Sequence, residues 1–447
     1  MSEETKPTLP ASTSSGLIGP PPEPIVRTIE SELDQFIGSV DALIESLPLV
    51  MAMVRAARQD ASTHLDEVER EFALAVEDDG TTRTVTLKPE GVVPYQRWKR
   101  RAERTAVAEG LLPRGFVVSL VSQYDAFLGG LIRALFALKP GALNSSERKL
   151  AYSDLVNFSS IDDAREYVVE KEVESVLRES HVKQIEWLEK RFDIKLREGL
   201  PIWPEFVEVT ERRNLFVHTS GIVSRQYLDV CREHGVKLAA RVKPAVRLAA
   251  NRKYLQTAHA IVLEMGIKLG HVFWRKLAPD QREQADKHLN NVGFDLLVEG
   301  RYQLAANVFD FATETLKKHA DAESRLTFVV NRAQAYKWMG NEEKARQIVN
   351  AEDWSAVSDM FKLAARVLKD EFDFAIGLVR SIGKAGELNA ISYRTWPLFR
   401  KLRDVPEFVA TFEEVFGEPL SKVTQETAVT KVSEVPESIG ASPQTTH

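Results

Sequence analysis

A single cysteine, Cys231, occurs in the 447 residues of this chain. An internal disulfide is therefore excluded, and a reducing compartment suits such a protein. The nine histidines are scattered, with no Cys/His pair at ligand spacing, so the sequence offers no metal site and implies no cofactor. Excess positive charge is missing too. The formal net charge of −6 argues against a protein that coats nucleic acid through bulk charge, and leaves only a local basic patch for such contact. Nor is there a long apolar run. The longest, residues 126–138, is interrupted by Arg133 and is too short to span a bilayer. Residues 1–26 are rich in Pro, Ser, Thr and Glu without an apolar stretch, and read as a disordered arm, not a signal peptide. These absences predict a cytoplasmic protein without a membrane partner.

What is present is ordinary soluble composition, 44% hydrophobic and 28% charged, in a chain long enough for about two to four domains. From Ile25 to Val76, Leu33, Phe36, Ile37, Val40, Leu43 and Ile44 recur at helical steps. Asp78-Asp79-Gly80 marks a turn, and Thr82 to Leu87 alternates like a strand ended by Lys88-Pro89. A small hairpin or extended arm near 82–93 is the only β structure expected. Next comes a basic run with interleaved aromatics, Tyr95, Arg97, Trp98, Lys99, Arg100 and Arg101. It reads either as an RNA-backbone contact with a stacking platform or as a solvated helix face over a tucked-in Trp98.

Phe116 to Leu138 predicts a long apolar helix in which Gly129-Gly130 lets a neighbour approach closely. Asp125 is its one acidic group. Loop-rich sequence with one short helix follows over 140–160. Ser160 then caps a helix through Arg178, another spans Ile185–Phe192, and Gly199 breaks before the stretch that organises the chain. That stretch is a helix predicted over about Pro204–Ser220, with Gly221 just past its end. Val209, Phe216 and Arg213 fall close together on it, and Asn214 and His218 form an i,i+4 pair on roughly the opposite face. A helix apolar on several sides is packed on several sides, so these polar groups belong in a bundle seam or a subunit interface, where each needs a partner.

Arg213-Asn214 followed by His218 resembles the R-x4-6-H signature of the HEPN superfamily of helical bundles. Arg212, Val217-His218 and the Gly221 to Tyr227 continuation are similar to bacterial members. The resemblance covers roughly residues 112–232. It implies a homodimer in which two motif helices face each other and the paired Arg and His cut RNA without metal. In that reading Arg213 binds the phosphate, His218 is base or acid, Asn214 holds phosphate or imidazole, and Asp125 and Arg212 support them. Asp125 could pair with Arg213, orient His218, face solvent or cap a neighbouring helix. Some family toxins carry a modifiable tyrosine two residues after the histidine; Ser220 stands there in this chain, so that control is not implied.

Beyond the bundle, 242–277 reads as one long amphipathic connector helix, and Pro279-Asp280 starts something new. Gly293, Gly300, Tyr302, Ala305, Phe309 and Ala312 sit where tetratricopeptide repeats place small and large residues. Ala333, Gly340 and Ala345 follow Gly293, Gly300 and Ala305 at a constant offset of 40, longer than that family's period of about 34. A degenerate third copy includes Phe372, Ala375 and Val379. Such an array either holds a protein or peptide partner or buttresses the bundle. The expected organisation is a disordered arm (1–26), a helical segment with a hairpin (27–111), a HEPN-like bundle with connector (112–280), tetratricopeptide-like repeats (281–417) and a disordered tail (418–447). The function expected from the resemblance is a toxin or antiviral-defence endoribonuclease. A noncatalytic scaffold or a nucleotide-binding regulator is the alternative.

Overall fold

The computed structural model of the chain describes residues 28–80, 83–145 and 150–421. The arm expected over 1–26, Thr82 of the expected strand and most of the expected tail lie outside the described residues. The chain is mainly helical and divides into two units, residues 1–285 and 286–447.

The first unit opens on α1 (Ile29–Phe72). Thr28 and Ser31 form a reciprocal capping box at its start, each side chain accepting from the other's backbone N–H at 3.0 Å. The helical pattern ends at Phe72, sooner than the periodicity suggests, because Ala73–Asp78 (β1) pairs antiparallel with Arg83–Leu87 (β2). Gly80, at φ +81°, closes the turn and donates its N–H to Asp78 Oδ1. One helix, α2 (Val92–Leu138), then runs back along α1 for 47 residues. The expected boundary at 111/112 thus falls inside a continuous helix, with Pro113 in its interior. Described residues between Pro48 and Phe116 are almost all half-buried or exposed, Ala61, Glu69 and Gly91 being the buried ones. They make a two-helix arm tipped by the hairpin. α1 and α2 each contain a stretch long and apolar enough to cross a membrane; over half of the α2 stretch is buried, and little of the α1 stretch is.

After a single exposed turn, α3 (Tyr152–Leu155), the two helices are joined in a bundle by α4 (Ile161–Leu177), α5 (His181–Phe192), α6 (Trp203–His218), α7 (Arg225–Glu233) and α8 (Arg252–Leu277). Small residues set the approach of α8. A Cβ at Gly266 would lie 2.2 Å from the Phe36 ring, and one at Gly270 would lie 2.7 Å from Leu33. Phe36 in turn stacks on Phe127 of α2, with centroids 4.7 Å apart. The connector helix is shorter than expected. Residues 242–251 are irregular because Pro244 disfavours helix before it and Ala245 takes φ +66°. Their backbone pairs with the chain leaving α6 instead: Val223 N donates to Val246 O at 2.9 Å and Leu248 N to Gly221 O at 2.8 Å. Asn251 caps α8 through the Tyr254 N–H.

The division between units falls within α9 (Arg282–Val298). In the second unit α10 (Tyr302–Asp310) packs on α11 (Ala322–Trp338), α11 pairs with α12 (Glu342–Asn350), and α13 (Asp359–Leu368) pairs with α14 (Phe372–Ile382). Gly293 lets α10 close in: a Cβ there would sit 2.4 Å from Phe309. Gly300 (φ +75°) and Gly340 (φ +89°) occupy equivalent left-handed positions after α9 and α11. α15 (Ala390–Thr395) and α16 (Pro406–Phe416) close the unit around buried Tyr393, Phe399, Phe408 and Phe412. Glu418, Pro419 and Leu420 are gripped by Arg394, so the ordered chain continues past the expected tail boundary at 418.

Candidate functional site

The motif helix α6 begins with Pro204 in its first turn, where a missing N–H costs nothing. Trp203, Phe206, Val207, Val209, Leu215 and Phe216 bury most of its circumference. It ends at His218, two residues before the expected end. Gly221, at φ +86°, sends its N–H back to Leu215 O at 2.8 Å, and Ser220 at φ +52° completes the reversal. Arg114 ties this corner to α2 through a 3.1 Å hydrogen bond to Ser220 O.

On the remaining face of α6 lies a predominantly polar pocket of about 480 Å³. Arg213, Asn214 and His218 all line it, although helical spacing alone set Arg213 apart from the other two. Asp125 enters from α2. Its Oδ2 accepts from Arg213 Nη2 at 2.7 Å, and its Oδ1 accepts from His181 Nε2 at 2.9 Å. Of the four roles open to Asp125, the structure gives the Arg213 pairing, and the imidazole it orients is that of His181, not His218. Arg213 Nη1 donates to Asn214 Oδ1 at 3.3 Å, and Asn214 Nδ2 reaches Glu211 Oε1 at 3.4 Å. The guanidinium is thus held on two sides, while its buried Nε has no partner. His218 is exposed at the pocket rim, in the last helical turn.

Three further residues shape the pocket. His181, at 6% exposure, opens α5 behind the Ser180 cap. Glu211 lines the wall, and burial raises its carboxyl above the ordinary value of 4.5, against the opposing pull of His181 and the Asn214 amide. Tyr227 is buried beneath, its hydroxyl donating to Glu208 Oε1 at 2.7 Å. Glu211 was legible, because 211, 214 and 218 fall on one helical face. His181 carried no local signal, since only tertiary packing brings it to Asp125, 56 positions away.

Arg212 is a correction. It points away from the pocket, donating to Glu208 Oε1 at 2.6 Å with its guanidinium 4.0 Å from the centre of the Tyr254 ring. Tyr254 donates to the other Glu208 oxygen at 3.1 Å. This cluster pins α6 to α7 and α8. Cys231, buried nearby, has its thiol pushed up to about 12, chiefly by desolvation.

The basic run stands apart. Trp98 and Asp125 lie on the same helix 27 positions apart, roughly 40 Å at 1.5 Å per residue. Trp98 stacks on His64 of α1 with centroids 4.2 Å apart, so one ring face is already covered. The guanidinium groups of Arg97 and Arg101 lie 6.0 and 5.4 Å from its centroid, and Arg101 also approaches Asp60 at 3.8 Å. The tucked-in reading of Trp98 therefore describes its packing. Arg97, Arg100, Arg101 and Arg104 still line a shallow groove along the arm, and Lys99 is exposed beside them.

Chemically, the pocket can hold a phosphate-sized anion beside Arg213 and brings two imidazoles, His181 and His218, together with the carboxyls of Asp125, Glu179 and Glu211. Among the described residues, no group of three or more His, Cys, Asp or Glu side chains is placed to hold a metal ion. Comparison with protein-family models, curated proteins and solved structures finds no match for the chain.

Proposed function

We propose that the chain is an endoribonuclease of the HEPN toxin or antiviral-defence kind, acting in the cytoplasm as a homodimer. The observation that carries this reading is the meeting of Arg213, Asn214 and His218 in one polar pocket. RNA brings its own nucleophile. His218 takes the 2′-OH proton as that oxygen attacks phosphorus, and Arg213 offsets the charge gathering on the nonbridging oxygens. The bond to the 5′-oxygen breaks as an acid protonates it, leaving a 2′,3′-cyclic phosphate and a 5′-hydroxyl. His218 of the partner subunit is the acid that the family resemblance implies. No metal takes part in this scheme. The helix pairs of the second unit, with their 40-residue offset, would form a tetratricopeptide-like array holding a protein or peptide partner.

One observation favours a different reading. Arg213 is already paired with Asp125, and a guanidinium neutralised in this way knits α2 to α6 without any substrate. A noncatalytic scaffold needs nothing more, and a nucleotide-binding regulator would use the same Arg and His on a phosphate. Expression in a bacterial host separates the readings. The nuclease should arrest growth as wild type and not as His218→Ala; harmless expression of both proteins at equal levels would favour the scaffold.

A further inference from the structure

The proposed reaction makes no use of the basic run on the arm. Arg97, Arg100, Arg101 and Arg104 are all exposed and line a shallow groove of about 540 Å³ on α2. Their spacing, i, i+3, i+4 and i+7, sets them on one helix face over roughly 10 Å. Thr105 and Ala108 complete the lining, and no carboxylate enters it.

Neutralisation separates these arginines from others on the arm. Arg55 and Arg58 share the carboxylate of Glu109, and Arg83 holds Glu69. Among the described residues, Arg97, Arg100 and Arg104 have no ion pair, and Arg101 only approaches Asp60 at 3.8 Å. Like charges at these spacings repel along a helix, and a polyanion in the groove offsets that repulsion. Trp98 holds two of the forks in place. The guanidinium groups of Arg97 and Arg101 lie 6.0 and 5.4 Å from its ring centroid, which lowers the ordering cost of binding.

The chemistry selects a nucleic-acid backbone. A guanidinium fork fits the paired oxygens of a phosphodiester, and this length of helix matches roughly three successive phosphates of a strand. Because Trp98 already stacks on His64, the groove offers phosphate contact in place of a platform for bases. Glu77, Asp78 and Asp79 at the tip of the arm carry charge that an anionic membrane repels. We propose that this face of the arm binds the phosphate backbone of RNA independently of base sequence. The choice of RNA among polyanions rests on the ribonuclease reading of the polar pocket.

Full-length His218→Ala, which leaves RNA uncut in that reading, would be titrated in EDTA against two labelled single strands of unrelated sequence. Fluorescence anisotropy would report binding to strands of about 20 nucleotides, longer than a single contact patch needs. Adding Arg100→Gln and Arg104→Gln leaves the arginines against Trp98 in place. Adding Arg55→Gln and Arg58→Gln instead removes equal charge from α1, and thermal unfolding would check each fold. The parent should bind both strands saturably at low salt, with log K falling against log salt at a slope of about −3, as four phosphate contacts imply. Losing Arg100 and Arg104 should halve that slope and weaken binding at least about tenfold. Losing Arg55 and Arg58 should change affinity by less than about threefold. If the Arg100 and Arg104 double variant does not fold, Arg100→Gln alone decides, with an expected slope change of about 0.7. No RNA binding, an unchanged slope, equal weakening by the two double variants, unlike affinities for the two sequences, or binding of phosphatidylserine vesicles in place of RNA would each overturn the proposal. Cleavage is read separately with wild type: RNA held by the arm but never cut would refute the ribonuclease reading and leave this site standing.

Discussion

Asp125 does more with one carboxylate than any other residue of the site, since each oxygen holds a different cation-forming group. In Asp125→Asn one oxygen becomes a donor facing a donor, and the Arg213 charge loses its counter-ion while half-buried. Urea unfolding should show a loss of about 1–3 kcal/mol; an unchanged midpoint would mean that the pairing contributes nothing to folding. Glu211 makes a prediction about pH. Burial raises its folded-state pKa above 4.5, so the folded chain keeps a proton that the unfolded chain has already released. Stability from this group therefore falls as pH rises through that window. Glu211→Gln should be more stable than wild type above the window, with the gain shrinking as pH drops to 4.5 and below. A pH-independent difference would contradict the assignment. At this scale the sequence was only half legible. An acid within a greasy helix, and Arg, Asn and His at short spacing, could be picked out by eye. Their pairings could not, because His181 reaches Asp125 through the packing of α5 on α2, which no local spacing encodes.

At the scale of elements, the motif helix depends on how it ends. Gly221 needs a left-handed backbone, and a Cβ there would lie 2.9 Å from Leu248 O, itself on the segment that pairs with the chain after α6. Gly221→Ala should cost about 1–3 kcal/mol from backbone strain and contact together. It should also loosen His218, two residues beyond which the reversal begins. Amide hydrogen exchange at Thr219 to Val223 would report the second effect, and protection equal to wild type would refute it. Proline, glycine and caps made most helix limits readable: Pro204, Ser160 and Gly199 all punctuate where expected. Two limits were missed. Residues 73–76 have a composition compatible with helix but pair with β2 instead, whereas at 242–251 Pro244 and the left-handed Ala245 stop the helix and the backbone pairs with the chain after α6. Pairing of that kind is a tertiary choice that overrides local periodicity.

For the whole molecule, each unit carries its own core and its own pocket, and the two pockets differ in kind: one polar with titratable groups, the other apolar and uncharged. The internal offset of 40 residues was visible in the sequence because close-packed helix pairs demand small residues at fixed places, as Gly293 against Phe309 illustrates. The arm was not visible, since the periodicity of α1 and α2 does not say that half their length runs beyond the bundle. The central claim, that Arg213 and His218 cut RNA, is tested most directly by end-group-resolved cleavage. Purified wild type, Arg213→Ala and His218→Ala, matched for folding and for dimer mass, would be incubated with RNA in excess EDTA. The account predicts 2′,3′-cyclic phosphate and 5′-hydroxyl ends from wild type, with the rate falling at least about 100-fold in each variant. Cleavage that persists undiminished in His218→Ala, or intact RNA with a wild type that also leaves growth unaffected, would contradict it.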